Sequence, residues 1–572
     1  MKGIDHKLAW LAAVIVSVFA AATSGPTLSV AQTVDWNIAV NNATVAPGGT
    51  PGARYISYNQ PAINDQGIMV FRARSRVTTG EPLESGIYRL DLFGGVLEKM
   101  AVRGDTVPEP NNTDINGVLA TFNEFPSTPR IDPGSPLAAS RGQHQPAWSY
   151  LLADGSETRV GTAGIFAWAD SGAPGRTGAS LLGAAVEEDQ VTLTFPWFSV
   201  PGTVFGTRFD QFPGSPALSD GRYIVFKGNY TDLIDGLGRT GIYFRDVVSG
   251  APEPFTGLIA SSNFVIPNQP SGGTVQFGST APPSAANGWV FFTGLDIEEA
   301  PTLGGIYRAP ISPTPTLQVI AGIGEQVPGE PAGSVFNTFG EGLSVSSDGA
   351  RVMFWAAWGS ETFEKLLLCP TDGRPEIIAF CLEQHPTGFV IEVPVNQGFF
   401  VHDVASGTTY PIARTLREGI TDFLFHNFSG RVPETGDAGD EELARWRSSA
   451  TGALSTAANA PSMAAFKASR NGTSGIYLRE GLKFQLPLRS IAEVDVTPGT
   501  DIDPAAPLDS FVSEVAIERD GFRNDRLAIS VGMLFEDPLN PEDSISWAGI
   551  YHTEMLIDLL FQDGFEGGTA RH

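Results

Sequence analysis

Seven segments of one type recur along this chain, and they limit its fold more than any other feature. They read GIYRLDL at Gly86, GIFAWAD at Gly164, GIYFRDV at Gly241, GIYRAPI at Gly305, GFFVHDV at Gly398, GIYLREG at Gly475 and GIYHTEM at Gly549. Subtracting these positions gives spacings of 78, 77, 64, 93, 77 and 74 residues. A second signal runs in phase with them. SDGRYIVF (Ser219 to Phe226) returns as SDGARVMF (Ser347 to Phe354), with looser copies NDQGIMVF at Asn64, ANGWVFF at Ala286 and RDGFRNDRLAI at Arg519. Asp-Gly or Asn-Gly makes a tight turn because glycine accepts positive φ, and the β-branched and aromatic residues that follow favour a pleated surface. A third signal lies upstream, as aromatics three apart: YISY (Tyr55, Tyr58), FNEF (Phe122, Phe125), FDQF (Phe209, Phe212), FNTF (Phe336, Phe339) and FHNF (Phe425, Phe428). Gly and Pro crowd around these pairs, which argues for strand or loop rather than a helix face.

Each unit therefore reads as a Pro-Gly connector, an aromatic strand, an Asp-Gly turn, an apolar strand, a Gly-Ile-Tyr strand and a closing strand. Four antiparallel strands in tandem are what a β-propeller blade requires, and neighbouring blades must stack to bury both faces. The expectation is an all-β propeller of about seven four-stranded blades, with six or eight left open. Phe71, Phe226, Phe292 and Phe354 should be buried equivalents between blades. Blade repeats usually run to roughly 40–50 residues, so units near 77 call for long loops on one rim. The units are unequal. The second is interrupted through RGQHQPAWSYLLADG, the fifth by an added hairpin KLLLCPTDGRPEIIAFC (Lys365 to Cys381), and the sixth by ETGDAGDEELARWRSS (Glu434 to Ser449), the one helical candidate.

SDGRYIVF followed by GIYFRDV is similar to the TolB-type propeller repeat, in which a Ser-Asp-Gly turn precedes a strand and an Ile-Tyr strand follows. The whole architecture resembles the secreted bacterial tandem-repeat proteins with an Asn-x-x-Gly-x-x-x-Phe signature and a choice of C-terminal anchors. NDQGIMVF carries that signature at Asn64, Gly67 and Phe71, and the other copies lack the Asn three before the Gly. The resemblance covers roughly residues 35–555 and implies a propeller of the cell exterior with no established activity.

The N-terminus fits that location. Lys2 and Lys7 precede the apolar run Leu8 to Ala22, which is short for a membrane span, and small residues at Ser29 and Ala31, or at Ala20 and Ala22, suit signal peptidase. The expected division is 1–31 signal peptide, 32–555 propeller and 556–572 tail, with a retained membrane anchor as the alternative for the first segment. The mature chain is expected to be secreted, periplasmic or on the cell surface, without a transmembrane segment. The tail resembles a Phe-x-Asp-Gly-Phe-Glu ending of secreted proteobacterial proteins. A net charge of −27 repels phosphate backbones, which excludes nucleic acid as the expected partner. Only Cys369 and Cys381 occur, and a local disulfide and two free thiols both stay open.

Chemistry is sparse. Asn112, Asp114 and Asn116 alternate before Gly117 like oxygen ligands of a calcium loop, yet Asn stands at position one and Asn123 at position twelve, so a polar turn competes. No other cofactor is expected. There is no Gly-x-Ser-x-Gly elbow and no His-Glu-x-x-His, and His402 and His552 fall where strand alternation gives packing positions. The functional expectation is a monomeric, non-catalytic interaction scaffold that takes a protein or glycan at its rim, with units two and six as the docking insertions. The competing expectation is a hydrolase acting on carbohydrate, with carboxylates at the channel mouth.

Overall fold

Phe226 and Tyr243 show how one unit is built. They sit directly opposite each other on adjacent antiparallel strands, Tyr223–Thr231 and Gly238–Asp246, with rings stacked at 5.9 Å. Both are buried. The same cross-strand pair is Phe71 with Tyr88, Phe292 with Tyr307, Phe354 with Phe400, and Phe466 with Tyr477. The four phenylalanines expected to be equivalent are all buried in this way. In several copies the Gly of Gly-Ile-Tyr leaves room for that aromatic. A Cβ on Gly86, Gly241 or Gly549 would lie 2.6 Å from the hydroxyl of Tyr88, Tyr243 or Tyr551, two residues on along the same face.

The protein is described here by a computed structural model. It describes residues 34–555 except 80, 108–120, 146–148, 152–156, 160–162, 169–178, 184–199, 205–206, 208, 248–255, 372–374, 431, 434–442, 456–461 and 536–544. The expected signal segment 1–31, the calcium candidate and the expected tail 556–572 lie outside the described residues.

Seven blades form a closed ring. Blade one runs Arg54–Tyr58 and Ala62–Ile63, Ile68–Arg76, Glu84–Asp91, Val96–Val102, and its first strand is broken into two pieces that both pair with the second. Blades two to six repeat this order, with inner pieces Arg130–Ile131, Ala217–Ser219, Ser284–Ala286, Ser344–Val345 and Gly452–Ser455. Blade seven has Phe522–Arg523 as its inner piece. Each inner piece touches the next, and the seventh touches the first. Blade seven takes its outer strand from the other end of the chain, because Asn37–Asn41 pairs with Ile545–Glu554.

That N-terminal strand is a true copy of the other outer strands. In every blade the outer strand carries one extra residue opposite the Ile–Tyr step, namely Met100, Leu181, Ile259, Ile320, Ile412 and Ile491 in blades one to six. Ala39 holds the same bulge in the N-terminal strand. Such a bulge sharpens the local twist, which a wedge-shaped blade needs.

Successive strand residues point to opposite neighbours, so each blade interface is built from two sets. Phe209, Phe226 and Tyr243 of blade three pack on Ala139, Ala163 and Ile165 of blade two. Val225, Ile242 and Phe244 on the other face meet Phe277, Phe292 and Tyr307 of blade four.

Three sequence expectations need correction. RDGFRNDRLAI makes its inner turn at Asn524–Asp525, one strand piece later than the Asp520–Gly521 expected, because Phe522–Arg523 is itself the inner strand. The segment after Cys369 is not a hairpin: Pro375–Gln384 is a helix, started by a proline and carrying Ile377, Phe380 and Cys381 at helical spacing. The helical candidate in unit six contains a strand, Arg445–Ser449, paired with Phe425–Ser429. Phe425 and Phe428 therefore belong to an insertion, and Phe423 takes the core position, edge-on to Phe399 and near Phe466.

Candidate functional site

The Asp-Gly turns converge on the ring axis at one face, where they hold each other rather than standing free. From blade one to two, Asp65 N donates to Pro133 O (2.9 Å). Gly221 N donates to Asp132 Oδ2 (2.9 Å), Gly288 N to Ser219 Oγ (2.9 Å), and Asn287 Nδ2 to Asp348 O (2.9 Å). Arg351 donates to Ser462 Oγ, Asp525 N to Ser455 Oγ (3.3 Å), and Asn524 Nδ2 to Asp65 O (3.3 Å), which completes the circle. Ser347 Oγ also donates across the axis to Asp65 Oδ1 (2.8 Å). Burial pushes the carboxyls of Asp65 and Asp132 above the usual carboxylate range. With Asp525, which burial also raises, they are axial carboxylates that a hydrolytic mechanism could use.

Deeper in, arginines fill the channel. Arg130 holds Glu518 at 2.7 Å and Asp520 at 2.9 Å, and Arg523 holds Asp520 at 2.6 Å. Arg519 reaches from blade seven to the carbonyls of Pro282 (3.3 Å) and Pro283 (2.7 Å) before blade four's inner strand, and Ser344 Oγ of blade five donates to the carbonyl of Arg519 (2.6 Å). All three arginines are buried. Burial brings Arg519 down to about 10, while burial alone would raise Asp520 and the three arginines outweigh it, leaving that carboxyl below its ordinary value. Arg130, Arg519 and Arg523 were not singled out in the sequence. Their signal there is the charge in ERDGFR and PRIDPG, where the repeat otherwise puts small or apolar residues.

The insertions among the described residues rise from the other face. In an antiparallel blade the first-to-second turn and the second-to-third connection lie at opposite edges. Blade two places the small hairpin Ser149–Leu151 with Glu157–Arg159 in its second-to-third connection. Blade five lengthens the same two strands to Arg351–Leu367 and Phe389–Asp403 and sets the helix between them. Blade six inserts Phe425–Ser429 and Arg445–Ser449 within its first strand. The insertions of blades five and six share a small core of Ile377, Cys381 and Phe428, with Phe380 and Trp446 against it. Cys369 and Cys381 are joined by a disulfide with Cα atoms 5.8 Å apart. The helix turns Cys381 back toward the strand end, which a hairpin could not do. Lys365 fastens the two insertions, donating to Asp422 Oδ2 (2.6 Å) and Leu424 O (2.8 Å).

At the opposite face, Met555 N donates to Asp525 O (2.6 Å), and Asn37 pairs with His552 near that edge. The described residues nearest both termini thus leave from the turn face, away from the insertions.

The remaining sequence candidates are placed as follows. Asn112, Asp114 and Asn116 are outside the described residues, and among the described residues no group of three or more His, Cys, Asp or Glu is arranged to hold a metal. His402 is buried with Nδ1 3.0 Å from Thr409 Oγ1, and burial lowers the imidazole pKa of both His402 and His552. Among the described residues, no helix is long and apolar enough to cross a membrane.

No protein-family model matches the chain, and no curated protein sequence matches it. Solved structures do resemble it in shape. An oligogalacturonate lyase in complex with manganese aligns over 90% of this chain and 100% of its own, at 9% identity and a TM-score of 0.37. The β-propeller domain of the trilobed protease from Pyrococcus furiosus covers 86% of this chain and 94% of its own, at 10% identity and 0.34. An acylaminoacyl peptidase from Pyrococcus horikoshii covers 88% of this chain and 54% of its own, at 9% identity and 0.35. The likeness is one of fold alone.

Proposed function

We propose that this propeller is an exported, monomeric, non-catalytic binding protein that docks a protein or glycan partner through its insertion face. The observation that carries the reading is the small apolar core shared by the insertions of blades five and six, on the face away from both described chain ends. Loops on a rigid scaffold are where recognition residues gather, and unequal loops on equal blades give such a face its specificity. The channel supports the same reading. Its central carboxylates, Glu518 and Asp520, are already ion-paired to Arg130. The apolar N-terminal run and the disulfide suit an oxidising compartment outside the cytoplasm.

The test is photo-crosslinking in envelope and culture fractions, beside a glycan-hydrolysis screen. A crosslinker at Leu382 or Ile234, both exposed on the insertion face, should give a discrete adduct, and one at Phe93, exposed on the turn face, should not. Adducts from Phe93 alone would move the binding site to the turn face. Turnover of any glycan, lost in Asp65→Asn or Asp132→Asn, would replace the binding reading with the hydrolase.

A further inference from the structure

The lengthened strands of blade five carry a surface that the shared core does not explain. Between Thr362–Leu367 and Phe389–Pro394 they run as a two-stranded ribbon beyond the rest of the blade. The blade's first strand pairs no farther out than Trp358 and its outer strand no farther than Gly398, so among the described residues no third strand flanks the ribbon on either side. One face of it is spent, since Lys365 is tied to blade six and Leu367 and Val393 are buried.

The other face is open. Leu366 and Val390 are direct cross-strand partners and are 55% and 54% exposed, and Leu368 beside them is 69% exposed. A Cβ on Gly388 would touch both Leu366 and Leu368, so the leucines form one patch. The next pair along the ribbon is Glu364 opposite Glu392, both exposed. Like charges directly opposite each other in a sheet destabilise it, and Thr362 Oγ1, 3.4 Å from Glu392, adds no positive charge.

We propose that this face docks an extended peptide segment with aliphatic and cationic residues two positions apart, which adds as a strand alongside Phe389–Pro394. Its aliphatic side chains cover Leu366, Leu368 and Val390, and its ammonium or guanidinium groups settle between Glu364 and Glu392. Strand addition supplies main-chain hydrogen bonds along the open edge, and alternate side chains read the exposed face. A second copy of this chain does not fit, because it would set Glu364 and Glu392 against their own like. This inference rests on the binding reading and names the partner chemistry for one part of that face.

The experiment uses the mature protein and a fluorescein-labelled peptide of repeated Val-Ser-Lys-Ser, which puts Val and Lys on one face of a strand, followed by anisotropy at low and high salt. Saturable binding should weaken at least about tenfold in E364K/E392K and in L366D/V390D, and should fall with salt. E298K/E299K changes the net charge equally on the exposed blade-four loop and should move binding less than about twofold, which separates the site from general attraction to an acidic protein. All three variants alter exposed side chains, and an unchanged melting temperature verifies their fold. Absence of saturable binding, or equal loss in E298K/E299K, overturns the inference. Crosslinking from Ile234 would survive that outcome, so a failure here is distinguishable from failure of the binding reading.

Discussion

Blade three pairs nine residues, Tyr223–Thr231, with nine, Gly238–Asp246, and stops. Blade five extends the same two strands to seventeen and fifteen residues and adds a helix, a disulfide and a contact with its neighbour's insertion. Yet the half of each blade nearest the axis is the same object. Phe226 stacks on Tyr243 at 5.9 Å, Phe354 stacks on Phe400 at 5.8 Å, and Phe209 and Phe336 meet those rings edge-on. The lesson is a division of labour along one strand pair. Residues near the axis are fixed by stacking between blades, while residues beyond the ring are free to become something else.

If the division is real, Phe226→Ala and Phe354→Ala should cost the same despite their different surroundings. Each removes a buried ring from an inter-blade layer, for a loss of ~3–5 kcal/mol by chemical denaturation. A cost below ~1 kcal/mol at either site, or at one but not the other, would break the comparison.

Blade seven sharpens it, being a blade assembled from two distant parts of the chain. Asp503 is buried and ties them, with Oδ2 accepting from Asn41 Nδ2 of the N-terminal strand at 2.8 Å, Trp547 Nε1 at 2.8 Å and Tyr551 Oη at 2.9 Å. Burial alone would raise this carboxyl, but the bonds from Trp547, Asn41, Ala505 and Tyr551 outweigh it and hold the pKa below its ordinary value. A folded pKa below the unfolded ~3.9 means the bond set stabilises fully above that pH and loses its effect as pH falls through the folded value. Asp503→Ala should therefore cost ~1–3 kcal/mol at neutral pH by stranding buried donors. The penalty should shrink on acidification below pH ~4, read from denaturant midpoints across pH. A penalty independent of pH would mean the seam is held by packing and not by this carboxylate.

The scaffold half of the comparison was legible from residues alone. Gly-Ile-Tyr recurs because a Cβ on the glycine would meet the ring two residues on at Gly86, Gly241 and Gly549 and the outer strand's backbone at Gly305, Gly398 and Gly475, and the Asp-Gly turns recur because they interlock around the axis. A fourth signal was present and passed over. Met100-Ala101, Ile259-Ala260, Ile320-Ala321, Ile412-Ala413 and Ile491-Ala492 mark the bulge of the outer strand. The seventh copy, at the N-terminus, was hidden because no Gly-Ile-Tyr precedes it in sequence. The insertions were harder to read because nothing repeats there to average over. Asp-Gly at 372–373 suggested a hairpin, whereas Pro375 and the apolar spacing of Ile377, Phe380 and Cys381 decided for a helix. Arg130 and Arg519 were illegible for another reason: their partners, Glu518 and Pro282 among them, come from other blades and show no fixed spacing.

The smallest expected effect concerns the disulfide and tests the division from its outer side. A bridge stabilises by restricting the states that open its loop, and here the loop of twelve residues lies wholly within the blade-five insertion. Local opening of that insertion leaves the stacked rings of blade five in place, so it should precede global unfolding. Cys369→Ser with Cys381→Ser should therefore change global stability by less than ~1 kcal/mol. It should also speed limited proteolysis between Leu367 and Phe389 severalfold. Mass spectrometry of the unreduced wild-type protein should show the loss of two hydrogens that marks the bond. A global loss near 3 kcal/mol, the full loop-closure effect for a loop of about this size, would mean that the insertion and the ring unfold as one unit, and the division along the strand pair would not stand.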